Sequence, residues 1–406
     1  MIPSFSTRLL VITSAPASSE GDSYVLDKKF VEGMRYYSAS WMGRVACLAP
    51  TSGERLPFAA RFSSTELPFD VHLRPSGHRI AAADLEGYDI VLCGGDNAAY
   101  LHVAELCRDL GKKLFYIIEY IPQTRRQIIM LDRSRALPRK MKSLLHIELT
   151  ERRRRRAFGL ATGVQANGYP AADLYRPLNA NTLMYLDNRI DADLLVTEAE
   201  MAARREYHRS GGPLRLLHSG RLEPMKGSQD LLPIARRLQA FGIDFVMDIF
   251  GSGSLESDLR SQISEYGLSD RVRLHGSVDF ETELVPFARA NSDIFLSCHR
   301  QSDPSCSYVE NMGCGLAIAG YDNRMWAALA RTSKAGWVAP LGDWQHLADG
   351  LSGVARNRSD LILACDAARA FAGQHLFKDE FDLRLAQLKS AVRVPADTKV
   401  SRHTDV

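Results

Sequence analysis

Short apolar runs alternate with longer stretches of helical spacing along most of the chain, a pattern that predicts parallel sheets covered by helices. In the first half the predicted strands are Leu9–Thr13, Arg44–Ala49, Val71–Leu73, Asp89–Cys93, Leu114–Glu119, Gly163–Ala166 and Thr182–Leu186. The polar stretch Leu194–Ser210 reads as a helix, and Gly211-Gly212-Pro213 breaks it, which marks a domain boundary. The pattern then restarts, with strands at Leu214–Ser219, Phe245–Phe250, Val272–Leu274, Asp293–Ser297 and Leu316–Ala319. Between them helices are predicted over Asp230–Phe241, Leu255–Tyr266 and Glu283–Ala290, and two more follow at Leu347–Ala355 and Lys378–Val392. The implied organisation is a first domain over 1–195, a linker over 196–213 and a second domain over 214–375. A last helix in 376–406 would pack back toward the first domain ahead of a flexible tail. Both domains are expected to be Rossmann-like and doubly wound, facing each other across a cleft, with ligands at the carboxyl ends of their strands.

Composition narrows this picture. The 406 residues are too many for one ordinary domain, and 45% hydrophobic with 24% charged content suits globular cores. No apolar run approaches the roughly 18 residues of a membrane span. Leu9-Leu10-Val11-Ile12 is too short for a signal-peptide core and reads better as a buried first strand. The seven cysteines are scattered without a C-x-x-C pair, which argues against disulfides and structural zinc and for a reducing compartment, hence a cytoplasmic location. A net charge of +3 gives no reason to expect nucleic acid. Its distribution is uneven: between Lys112 and Arg156 there are fourteen Lys/Arg against Glu119, Asp132, Glu148 and Glu151.

Three segments just after strands of the second half carry candidate chemistry. Ser219-Gly220-Arg221-Leu222-Glu223-Pro224-Met225-Lys226-Gly227 leads into a helix, and its glycines, Arg and Lys suit a diphosphate. A solvated surface loop would look similar. Phe250-Gly251-Ser252-Gly253 is a second glycine turn, which alone indicates only a tight connection. His299-Arg300-Gln301-Ser302-Asp303-Pro304-Ser305-Cys306-Ser307 follows a third strand, with Pro304 and Ser305 expected to start a helix that carries Glu310. A carboxylate there can accept from two vicinal hydroxyls, or can simply face solvent.

In this order and spacing the segments resemble the family 4-like retaining glycosyltransferases of the GT-B fold, over about Leu214–Asp343. The carrying residues are Gly220-Arg221-Leu222, Lys226-Gly227, Asp230-Leu231-Leu232, Gly251-Ser252-Gly253, His275-Gly276 and Asp303-Pro304-Ser305-Cys306 with Glu310. The Asp-Pro-Ser-Cys variant is similar to that of bacterial exopolysaccharide enzymes, the colanic-acid type included. In the first half the resemblance is one of architecture alone. The resemblance implies that Arg221 and Lys226 hold a nucleotide-sugar diphosphate, Glu310 the ribose, and Gly276 and Val278 the base. The amides around Ser305, Cys306 and Ser307 would then face phosphate or sugar oxygens.

One departure stands out. The family's acidic pair, E-x7-E, would place its first member at Ser302, so either Asp303 takes that role after a small shift or His299 and helix amides replace it. The implied reaction is retaining and needs no metal or other cofactor, since the fixed cations face the leaving diphosphate. Asp191-Ala192-Asp193 formally matches a D-x-D metal motif but follows no strand. The alternative is a catalytically silent protein of the same fold that binds nucleotide-sugar or glycan as a partner subunit.

The first domain is left to bind the acceptor, a glycan or lipid-linked oligosaccharide. Glu119, at a strand end, is its candidate base or hydroxyl anchor; Gly94-Gly95-Asp96-Asn97 could also reach the cleft. Asp22, Ser23, Lys28 and Lys29 fall where a substrate-covering loop is expected. From Leu137 the apolar residues Leu137, Met141, Leu144 and Leu145 keep helical spacing, with Arg139, Lys142, His146 and Arg153 on the opposite face. Arg152 breaks the pattern, so the helix is expected to end or bend there. This basic stretch, 137–156, can pack its stripe into the core or lie on an anionic membrane at the inner face of the plasma membrane.

Overall fold

A computed structural model describes residues 7–51, 59–132 and 135–392. Seven parallel strands form the first sheet, in the spatial order Thr182–Tyr185, Gly163–Asn167, Lys113–Ile118, Ile90–Gly94, Leu9–Ile12, Val45–Pro50, Asp70–Arg74. The second sheet has six parallel strands, in the order Val272–Gly276, Phe245–Phe250, Leu214–Ser219, Ile294–Ser297, Ala317–Tyr321, Gly336–Ala339. In each sheet the chain winds one way from its first strand and then returns to that strand's other side. The crevice of such a reversal is where ligands of open α/β sheets sit. Central strands such as Leu9–Ile12 and Ile294–Ser297 are buried along their whole length, because helices cover both faces.

Every predicted strand is present, with ends shifted by a residue or two. Gly336–Ala339 was not predicted: it is a short edge strand with only Ala339 buried, so its apolar pattern is faint. The segment after the first strand is no loop. Ser18–Glu20, Ser23–Asp27 and Ala59–Ser63 form a small antiparallel sheet, and Lys28 and Lys29 open the helix Lys28–Ser40, capped by Asp27. Gly21, at φ 61°, occupies the first central position of the two-residue hairpin that makes this possible.

The segment 196–213 does not hang between domains. Its helix, Glu198–Arg209, starts at a Thr197–Glu200 capping box, and Val196 and Met201 enter the core of the second domain. The last helix, Phe377–Ser390, crosses back to the first domain, where Phe381, Leu385 and Leu388 join the core beside Val31 and Tyr37. The tail at 393–406 lies outside the described residues.

The basic stretch is one continuous 24-residue helix, Leu137–Leu160, with no break at Arg152. The buried face is the one carrying Ile147, Thr150, Glu151, Arg154, Ala157 and Phe158. Arg154 is fully paired there, donating to the Gly95 carbonyl and to Glu151. Arg152 therefore stays in solvent without bending the helix. The apolar stripe is outside too: Leu137 is 67% exposed and Leu145 63%, with Met141 and Leu149 exposed along the same row.

Candidate active site

The carboxyl edges of the two sheets meet, and loops from both line the gap. On the second domain, the strand Leu214–Ser219 gives way to Gly220 and Arg221, and a single turn, Pro224–Lys226, ends at the left-handed Gly227. A Cβ on Gly227 would lie 1.8 Å from the Cys298 carbonyl oxygen, and one on Gly251 would lie 1.9 Å from that of Gly220. These two glycines are therefore required by backbone packing between neighbouring loops, Gly253 likewise lying against Leu222. That packing sets the loops' position. Gly220 and Gly276 do face open space.

The packed loop turns Lys226 inward. Its ammonium is 2.6 Å from Asp303 Oδ2, a buried ion pair between two residues expected to touch the donor separately. Burial alone would raise the Asp303 pKa, but Lys226 and His299 outweigh it and hold the carboxyl below its usual range. His299 is also buried, with Nδ1 3.8 Å from Asp303 Oδ1; burial and the nearby Lys226 charge keep its pKa well below that of a free imidazole. Asp303 is thus the counter-ion of Lys226 through Oδ2. Arg221 extends from the same loop to an exposed position, with no carboxylate partner among the described residues.

Ser302, where the resemblance asks for an acid, is 1% exposed and stitched to the first domain. Its amide donates to Gln127 Oε1 and its carbonyl accepts from Thr124 Oγ1, both at 3.0 Å. A carboxylate at this position would be buried in the domain contact. The following helix is Ser307–Gly313, starting later than expected with Cys306 at its cap, and Pro304 ahead of it lies against Gly168 of the first domain.

Glu310 is buried on this helix and receives a fork from Arg189, with Nε at 2.8 Å and Nη2 at 3.2 Å. The Arg189 guanidinium also stands 3.6 Å over the Phe280 ring, in the apolar cluster that Val278 borders. Nothing in the local run Asp187-Asn188-Arg189-Ile190 signals this role, since the contact is made across 121 positions of sequence.

From the first domain come Lys29 and Glu119. The Lys29 ammonium lies 2.5 Å from Asp187 and 2.9 Å from Cys306 Sγ, so it joins the two domains at the start of the Glu310 helix. Burial would depress its pKa, but Asp187 and the neighbouring thiol and Glu310 raise it well above normal, and Lys29 stays cationic. Burial pushes the Cys306 thiol up to about 12. Glu119 follows the strand Lys113–Ile118, 3.5 Å from Asn167 Nδ2. Burial, with Asp96 and Asp187 nearby, raises its carboxyl to about 7. Asp96 does not face the gap: its carboxylate accepts the Glu119 and Tyr120 amides and pairs with Arg125, which fixes Glu119 in place. Asp191 of the D-x-D match is bound to Lys378 at 2.8 Å.

This geometry places the chain among proteins of known kind. Residues 201–367 match the family model "Glycosyl transferases group 1". The chain is 30% identical over 164 residues to the amylovoran biosynthesis glycosyltransferase AmsK of Erwinia amylovora, covering 39% of this chain and 40% of that one. It is 26% identical over 199 residues to the putative colanic acid biosynthesis glycosyltransferase WcaL of Salmonella typhimurium, covering 46% and 48%. The matched stretch thus spans less than half of either relative. In three dimensions it superposes on Anabaena Alr3699/HepE in complex with UDP at a TM-score of 0.66 and 15% identity, over 95% of this chain and all of the other. It does so on WaaG, a glycosyltransferase involved in lipopolysaccharide biosynthesis, at 0.59 and 12%. The fold is GT-B, and residues 201–367 match the group 1 glycosyl transferases.

Proposed function

We propose that the chain is a retaining glycosyltransferase that moves a sugar from a nucleotide-sugar donor to a glycan or lipid-linked acceptor in cell-surface polysaccharide assembly. The observation that carries this reading is the convergence of Arg221, Lys226 and Glu310 on one cleft with Lys29 and Glu119 of the opposite domain. The relatives named for exopolysaccharide biosynthesis and the UDP complex of a protein of the same fold support it.

In this reading Arg221 and Lys226 stabilise the departing diphosphate without a metal, Lys226 exchanging Asp303 for phosphate oxygen. Glu310 exchanges the Arg189 fork for two ribose hydroxyls, and the base lies near Gly276 and Val278. The anomeric C–O bond to phosphate breaks while the acceptor oxygen bonds to the same face. The acceptor proton passes to the leaving phosphate oxygen. Glu119, about half ionised near neutral pH, holds the attacking or a neighbouring hydroxyl. The exposed stripe Leu137–Leu149, with Arg152, Arg155 and Arg156 further along the same helix, brings the protein to an anionic membrane surface.

The test is thermal stabilisation across a panel of nucleotide-sugars, followed by transfer assays on the best binder. Glu310→Ala is expected to weaken donor binding at least tenfold. Donor binding and turnover unchanged in this variant would remove Glu310 from the site.

A further inference from the structure

A second concavity lies in the first domain, away from the residues discussed so far. A cavity of about 560 Å³ opens where the strands Leu9–Ile12, Val45–Pro50, Asp70–Arg74 and Ile90–Gly94 end, so it occupies the carboxyl edge of the sheet on both sides of its winding reversal. Its size is that of a small-ligand site. Leu48, Ile80 and Tyr100 give it an apolar floor, and Asn97, Arg74 and His78 give it polar walls.

The two basic side chains are held by a device beneath them. Asp84 is buried, and its carboxylate accepts from Arg74 Nε at 2.7 Å, His78 Nε2 at 2.8 Å and the Ala81 amide at 2.9 Å. Burial would raise the Asp84 pKa, but these donors hold it below its ordinary value, so it remains an anion. Arg74 Nη1 donates to its neighbour's carbonyl, that of Leu73. With Nε held by a buried anion and Nη1 on a carbonyl, Nη2 of this cavity-lining arginine is left to donate to a planar or tetrahedral oxyanion. Surface arginines without such support swing freely and select little.

We propose that this cavity is a subsite for an anionic group of the acceptor, a carboxylate or a phosphate, with Arg74 and His78 as its ligands and Asp84 as their positioning residue. The apolar floor takes the C–H face of the sugar that carries or adjoins the charge. The proposal rests on the glycosyltransferase reading for the word acceptor, and on the cavity alone for the word anionic.

The experiment is calorimetric titration of the full chain with three probes: methyl glucuronoside, methyl glucoside, and glucose linked to a farnesyl diphosphate. At least one charged probe is expected to bind tenfold or more tighter than methyl glucoside, and which one does so identifies a sugar acid or a lipid-linked phosphate as the source of charge. Arg74→Gln and, independently, His78→Gln are expected to remove that advantage. Arg74→Lys, which keeps a cation beside Asp84 but loses the fork, is expected to retain only part of it. Equal binding of charged and neutral probes, absence of binding by both charged probes, or charged-probe affinity unmoved in both glutamine variants would overturn the proposal. UDP is titrated in parallel. Its failure to bind would sink the donor site of the second domain and leave the cavity to be judged on the charged probes.

Discussion

The two domains share a winding, with the first strand of each at the centre of a parallel sheet and loops gathered at the carboxyl edge, but they hold their charged groups differently. On the second domain's side of the cleft the site residues are matched in pairs, Lys226 with Asp303, and Glu310 with Arg189 from the first domain. In the first, Glu119 and the Arg74–His78 pair are steadied from behind by Asp96 and Asp84.

That contrast can be broken most sharply at Lys226. Lys226→Ala is expected to lower kcat/KM about 10³-fold, the effect of removing a preorganised charge, and to destabilise the fold by about 3–5 kcal/mol because Asp303 is left buried and unpaired. Lys226→Ala combined with Asp303→Asn is expected to recover the melting temperature but not turnover. Recovery of both would make the pair structural only.

Glu119→Gln comes next, with an expected loss of about 10²-fold in kcat. Because the carboxylate is the working form and its pKa is raised to about 7, wild-type kcat/KM should rise with pH through that value and the variant should be flat. Stability runs the other way. A carboxyl with a folded pKa near 7 and an ordinary value of 4.5 binds its proton better in the folded state, so wild-type stability should decline between those pH values relative to the variant. A variant that keeps the wild-type pH–rate profile would remove Glu119 from the chemistry.

Arg221→Ala tests the exposed cation, whose loss disturbs no internal pair. UDP is expected to bind about tenfold more weakly, about 1.4 kcal/mol, with the melting temperature unchanged. The smallest effect concerns the membrane. Leu145→Glu with Leu149→Glu should reduce sedimentation with phosphatidylglycerol vesicles several-fold and leave soluble-donor hydrolysis intact; unchanged sedimentation would assign the stripe to a protein partner or to none.

The same contrast explains what could be read from the sequence. Strands were legible because buried runs such as Leu9–Ile12 are continuous and apolar, and the loop of Arg221 and Lys226 because it directly follows one. Arg189 and Asp84 were illegible, and Lys29 was read only as part of a covering loop, since each acts through a partner that the fold alone brings near. The basic helix misled for another reason. Its apolar row at i, i+4 spacing looks like a core stripe, but the face that packs is built on Arg154, whose charge is satisfied by Glu151 and the Gly95 carbonyl.

The returning helix Phe377–Ser390 has a consequence for how the molecule is made. Phe381 packs against Gly33 and Tyr37, and the Arg384 guanidinium lies over the rings of Tyr37 and Tyr185, so the first half of the chain lacks part of its interior until residues 377–390 have been translated. On the ribosome the second domain can close while the first is still waiting, the reverse of the usual vectorial order. An amino-terminal fragment ending before 376 should therefore emerge soft and sticky, a client for chaperones, and supplying the missing helix in trans should rescue it.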